Sequence, residues 1–193
     1  YRSNPRRLAE FTLSRRVPDY VPRAKASAAL EAERRAGKKP EALMSVLRLV
    51  GDAEKLIETT QFGSAIYATR PGDGSAREQA ASCQKVLGGL ANICVEYATK
   101  RYRSNCINWG ILPFRIASGE RFDCEPGDYV FVPNIRALIA SGKTEFPAKV
   151  IRTDQRVYDI KLFVDPLTDD ERQILLDGCL MNYYKNQKSS LKM

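Results

Sequence analysis

Leu43, Val46, Leu47, Val50, Ala53 and Ile57 recur at intervals of three and four residues, so the spacing predicts one amphipathic helix from Pro40 to about Thr59, running through Gly51. Proline suits the first turn of such a helix, because the N–H that it lacks would have no partner there. The preceding RAKASAALEAERRA, residues 23–36, is rich in alanine and charge and bounded by Pro22 and Gly37, which predicts a surface helix. Beyond residue 60 the period changes. FGSAIYAT (62–69) has strand composition, and PGDGSAREQA (71–80) then opens a helix that places Ala76, Ala80, Cys83 and Leu87 on one face before Gly88 and Gly89 stop it. LANICVEYA (90–98) is almost continuously apolar, as a strand covered on both faces would be. Together these make a β-loop-α-β unit.

In the second half, RYRSNCINWG predicts a short helix ended by Gly110, and ILPFRI an extended segment that Pro113 keeps at an edge or end of any strand. Pro126-Gly127-Asp128 is a turn signal leading into the strand DYVFV. EFPAKVIR (145–152) and VYDIKLFV (157–164) alternate on either side of the polar TDQR, the pattern of a hairpin. Thr168 with Glu171 forms a capping box that opens a final helix through ERQILLDGCLMNYYKNQ, with 187–193 as a frayed tail. The class is mixed α/β, and 193 residues with 44% hydrophobic content suffice for a single domain, 1–193, carrying a helical insertion at 23–60.

Composition narrows the chemistry. No apolar run approaches the ~20 residues needed to cross a bilayer, and the N-terminal YRSNPRRLAE is too polar for a secretory signal, so no membrane partner is expected. Five cysteines, scattered and without a CxxC pair, point away from a disulfide framework or a self-contained metal site and toward a reducing, cytoplasmic setting. Each reads as a small buried hydrophobe. The absence of histidine removes Ser-His-Asp and Cys-His nucleophilic chemistry. A net charge of +8 and a pI near 9.3 favour polyanionic partners, whether nucleic acid, acidic membrane or polycarboxylate, and the sign alone does not choose.

A glycine-rich turn between a strand and a helix aims free N–H groups and the helix dipole at an anion. PGDGSAREQA fits neither GxxxxGK[ST] nor GxGxxG, which leaves carboxylate as the expected ligand. Ser75 falls at or beside the N-cap, and Arg77 is placed for a bidentate contact with a carboxylate. The blander alternative is a plain serine cap with a solvent arginine paired to Glu78.

GDGSAREQAASCQKVLGG, followed by LANICVEYATKRYRSNCINWGILPF, resembles the aconitase-family hydratases, which read G-x-G-S-S-R-E-H-A-A, then a hydrophobic strand, then N-x-x-x-x-G-[IL]-L-P. Tyr1-Arg2-Ser3-Asn4 with Pro5 is similar to an element preceding that motif in bacterial members, and LTDDERQILLDGCLMNYY to their C-terminal helix. The resemblance implies the swivelling β/β/α domain of such a hydratase, a mixed sheet with flanking helices plus the helical insertion near the N-terminus.

It also implies roles. Ser75 would be the catalytic base that removes a proton beside a substrate carboxylate. Arg77 and Arg2 would bind the carboxylates of a di- or tricarboxylate, with Gly74 and Ala76 in the same substrate loop. The family's 4Fe-4S cluster belongs to preceding domains of the same polypeptide, which would be this chain's partner. A piece truncated at its N-terminus is expected to bind no cluster and to be inactive alone. Two departures stand out: Ala76 replaces the family's second serine, and Gln79 its histidine. They leave room for a non-catalytic homologue acting as an RNA- or protein-binding module, for which Tyr97, Tyr102, Tyr183 and Tyr184 near basic residues would serve. Trp109, next to ILPF, is expected in the core.

Overall fold

The structure, a computed structural model, describes residues 3–117 and 119–190. Four helices come first: α1 (Pro5–Ser14), α2 (Tyr20–Arg35), α3 (Glu41–Arg48) and α4 (Ala53–Thr59). The chain then alternates through β1 (Ser64–Ala68), α5 (Arg77–Val86), β2 (Gly89–Cys94), α6 (Lys100–Asn108) and β3 (Leu112–Arg115). It closes with β4 (Tyr129–Phe131), α7 (Ile135–Ala140), β5 (Glu145–Ile151), β6 (Val157–Phe163), α8 (Asp169–Asp177) and α9 (Leu180–Ser190).

One sheet holds all the strands in the order β1-β2-β3-β6-β5-β4. β1, β2 and β3 run parallel, with Tyr67 beside Ile93 and Ile93 beside Phe114. The other pairings are antiparallel, and the β5/β6 hairpin turns at the residues expected. This is the α/β class with a mixed sheet and flanking helices that the sequence predicts. The β-loop-α-β unit forms the parallel half, so the carboxyl ends of β1 and β2 lie side by side, the usual place for a ligand in such sheets. Ile93, Phe114, Phe146, Leu162, Val164 and Ile174 build the main core.

Several expected elements change shape. The helix over 40–59 breaks in two: the N–H groups of Val50 and Gly51 fold back to Leu47, and Asp52 adopts an extended backbone before α4 starts. Its apolar stripe survives, because Leu43, Met44, Leu47, Ala53 and Ile57 still share one cluster across the turn. The periodicity reported common burial rather than a continuous helix. On α5 the buried positions are Ala81, Cys83 and Gln84, with Leu87 just beyond, whereas Ala76 and Ala80 are exposed. The helix is turned this way because α1, which the sequence reading did not anticipate, buries Cys83 and Leu87, while α6 takes Ala81.

Of the two places expected for Pro113, an edge or the end of a strand, it takes the second: it follows Leu112 at the start of the four-residue β3. β3 lies inside the sheet, but β6 meets it only at Arg115, so no partner there requires an N–H from Pro113. β2 stops at Cys94, because Val95 and Glu96 both donate to the Thr69 carbonyl and leave the ladder. The final helix breaks at Gly178, whose φ of +92° is a left-handed cap. Residues 187–190 of the expected frayed tail belong to α9, and 191–193 lie outside the described residues. The capping box of Thr168 and Glu171 forms as predicted.

Candidate carboxylate loop

The segment joining β1 to α5 is tied down at its start. Thr69 accepts from Val95 and Glu96, and the Pro71 carbonyl accepts from Ala98 at 2.9 Å. Arg70 pairs with Glu96 at 2.8 Å. Gly72 follows at φ +93°, pressed against the Tyr102 ring so closely that a Cβ would come within 2.4 Å of it. Its glycine is therefore a packing requirement set by α6. Gly74 differs: a Cβ there would meet nothing within 4 Å, and its backbone does not lie in the left-handed region. Of the two glycines, Gly74 is the one that leaves open space beside the loop.

The Gly72 carbonyl is a junction. It accepts from Arg77 Nε at 3.1 Å and from the Thr99 hydroxyl at 3.2 Å. Thr99 also caps α6 by accepting from the Tyr102 N–H at 3.2 Å. Glu78, in the first turn of α5, accepts from the Asn105 amide and, at 2.5 Å, from the Trp109 indole. Arg77 does not pair with Glu78, and the serine cap does not form either. The N-cap is Ala76, without a side-chain hydrogen bond, and Ser75 sits one residue before it. Ser75 is exposed, and among the described residues its hydroxyl has no partner. The structure thus brings Ser75, Gly74, Ala76 and Arg77 together at one helix N-terminus. Arg2 lies outside the described residues. Asn4 caps α1 by accepting from the Arg7 N–H at 3.0 Å.

Behind the loop, the buried Asn92 amide donates to the Tyr102 hydroxyl at 3.1 Å and to Cys106 Sγ at 3.3 Å. Burial pushes the Cys106 thiol up to about 11, Cys94 to about 12 and the Tyr102 hydroxyl well above its ordinary value. These groups stay protonated at neutral pH and act as packing. Cys83 is buried too, and all five cysteines are free thiols. Among the described residues no three Cys, Asp or Glu side chains gather where they would hold a metal ion. No helix there is long and apolar enough to cross a membrane.

Trp109, expected in the core, is half-buried: it packs at the rim of the cluster of Ala81, Tyr102, Cys106 and Ile111 with its N–H donated to Glu78. Of the four tyrosines considered for nucleic acid, Tyr102 and Tyr183 are buried, Tyr97 is half-buried with an enclosed hydroxyl, and Tyr184 is exposed. They do not form a stacking platform. Thr99, Asn105 and Trp109 are the site's supports that the sequence reading missed. A threonine directly before a helical run was the available signal for the first of them.

Residues 23–119 match the model of a family described as the aconitase C-terminal domain. Among solved structures, a 3-isopropylmalate dehydratase from Methanocaldococcus jannaschii is 28% identical, covering 72% of this chain and 73% of its own, with a TM-score of 0.49. No curated protein sequence matches.

Proposed function

The chain belongs to the aconitase C-terminal domain family, and from that premise we propose that it supplies a serine base and a carboxylate-gripping arginine to a hydro-lyase completed by other domains. Its substrate is a hydroxylated di- or tricarboxylate. The observation that carries the reading is the state of Arg77. Its Nε is tethered to Gly72, while among the described residues its terminal nitrogens have no partner, two positions from an exposed Ser75. A planar guanidinium held this way offers its remaining N–H groups in the geometry of a carboxylate.

Ser75, as its alkoxide, would take the proton from the carbon next to that carboxylate and become the neutral hydroxyl; the C–H bonding pair moves into a new C=C bond, and the neighbouring hydroxyl leaves as water with a proton supplied from the other domains. Serine is a poor base. The unpaired N–H groups in the first turn of α5, the helix dipole and the Arg77 charge would offset the negative charge of the Ser75 alkoxide before it takes the proton. The donor set of this chain does not fit an iron–sulfur cluster: its five cysteines are separate free thiols, and no three ligands gather among the described residues. Any such cluster belongs to the partner domains, and no step is assigned to it.

The test is to assemble the chain with the aconitase-like domains that complete it, load iron, and assay a panel of hydroxy di- and tricarboxylates. Turnover that disappears in Ser75→Ala supports the reading. A cluster-loaded assembly that turns over no member of the panel overturns it.

A further inference from the structure

We propose that Thr99 is a positioning residue for Arg77, acting through the Gly72 carbonyl; this rests on the carboxylate-gripping reading above. One hydroxyl serves two partners. It accepts from the Tyr102 N–H, which caps α6, and donates to the Gly72 oxygen, each at 3.2 Å. That oxygen also takes the Arg77 Nε–H at 3.1 Å, so both of its lone pairs are engaged. The peptide plane bearing it is pinned from α6 on one side and from the α5 side chain on the other.

Nε sits at the root of the planar guanidinium. Fixing the direction of the Nε–H fixes the plane in which the two terminal nitrogens meet a carboxylate. The far end of α6 supplies a second hold through Asn105 and Trp109 on Glu78. α6 therefore grips the loop at residues 72 and 78, and among the described residues the side chains of 73–76 between those points make no hydrogen bond or ion pair. The substrate-facing stretch is left open and its flanks are held. Capping a helix needs only an acceptor at residue 99, whereas orienting the Gly72 carbonyl needs a donor, and that difference makes the role separable.

Three variants separate them. Thr99→Ser keeps acceptor and donor, Thr99→Asp keeps the cap acceptor and loses the donor, and Thr99→Val loses both. In this chain the Arg77 Nε–H can be followed by 15N NMR and assigned by its loss in Arg77→Lys. Its hydrogen exchange is expected to quicken about tenfold in the Asp and Val variants and to stay within about twofold of wild type in the Ser variant. Wild-type protection in Thr99→Asp would reduce Thr99 to a helix cap and overturn the proposal. In the full assembly, Thr99→Asp should raise KM for the hydroxycarboxylate about fivefold with kcat within about twofold, because a misaligned fork weakens binding before chemistry. An unchanged KM there also overturns it. Should the wild-type assembly turn over no hydroxycarboxylate while the exchange rates behave as expected, the functional reading falls and the positioning role stands.

Discussion

Gly72 lies face to face with Tyr102: a Cβ on the glycine would come 2.4 Å from three carbons of that side chain. The first residue of α6's buried face thus sets the height of the loop that carries Ser75. Because φ at Gly72 is +93°, Gly72→Ala combines left-handed backbone strain with a clash against a ring that is itself buried. A stability loss of about 3 kcal/mol is expected in denaturant unfolding. Gly74→Ala, two residues on, meets open space at an ordinary φ and should stay within about 0.5 kcal/mol of wild type. Equal losses at the two sites would mean that the loop is not seated on Tyr102.

Glu31 is the buried carboxylate that ties α2 to the segment leading into β1. It accepts from Arg34 Nε and Nη2 at 2.8 and 2.9 Å, from Arg35 at 2.9 Å and from the Phe62 N–H at 3.1 Å. Burial by itself would raise its pKa, but the two guanidiniums and the N–H outweigh that and hold the carboxyl below its ordinary value of 4.5. A folded pKa below the unfolded one gives stability that is fully present above 4.5 and is lost as pH falls through the folded value. Glu31→Gln should therefore cost about 2–3 kcal/mol at pH 7. The deficit should shrink as wild type is acidified below its ordinary carboxyl range. Chemical denaturation at several pH values checks both the size and the convergence.

Glu171 closes the capping box and also reaches across to α6. One oxygen accepts from the Thr168 N–H at 2.9 Å and the other from Arg103 at 3.1 Å. Arg103, largely buried, further donates to the Asp165 and Pro166 carbonyls. Thr168→Ala should cost about 1 kcal/mol, the ordinary value of a lost cap. Glu171→Gln keeps a cap acceptor but leaves the Arg103 charge without its carboxylate, so it should cost more than Thr168→Ala, about 2 kcal/mol. Thermal melts of the two variants decide the order.

What the sequence made legible follows from how local each feature is. The β-loop-α-β unit, the hairpin and the Thr168 cap depend on residues within a few positions of one another, and all three form. The face of α5 depended on α1, whose SNPRRLAEFTLS has a proline at the first helical position and an asparagine cap but too few apolar residues to announce itself. Pro113, expected at an edge or end of a strand, stands second in the four-residue β3, inside the sheet, where its missing N–H leaves no partner unsatisfied. At β3 the second neighbour simply does not reach that far. At the proposed site, Ser75 and Arg77 were put forward from motif chemistry. Thr99, 27 residues from Gly72, entered only once β2 had folded between them.

Ala76 stands where the sequence resemblance implies a second serine, and the structure makes that difference testable. It is exposed at the N-cap of α5, without a side-chain bond, so a hydroxyl added there would disturb no packing. In the assembled enzyme, Ser75→Ala is expected to lower kcat by about 10²–10⁴ with little change in KM, the signature of a lost base. Arg77→Lys should act mainly on KM, since an ammonium cannot reproduce the forked contact. Ala76→Ser discriminates a changed substrate from a lost one. If Ala76 tunes the pocket to a smaller dicarboxylate, the added hydroxyl should raise kcat/KM for tricarboxylates about tenfold while leaving the preferred substrate within about threefold. A gain across every hydroxycarboxylate would instead mean that the alanine costs this loop activity, and no gain for any would mean that the second hydroxyl plays no part in its substrate grip.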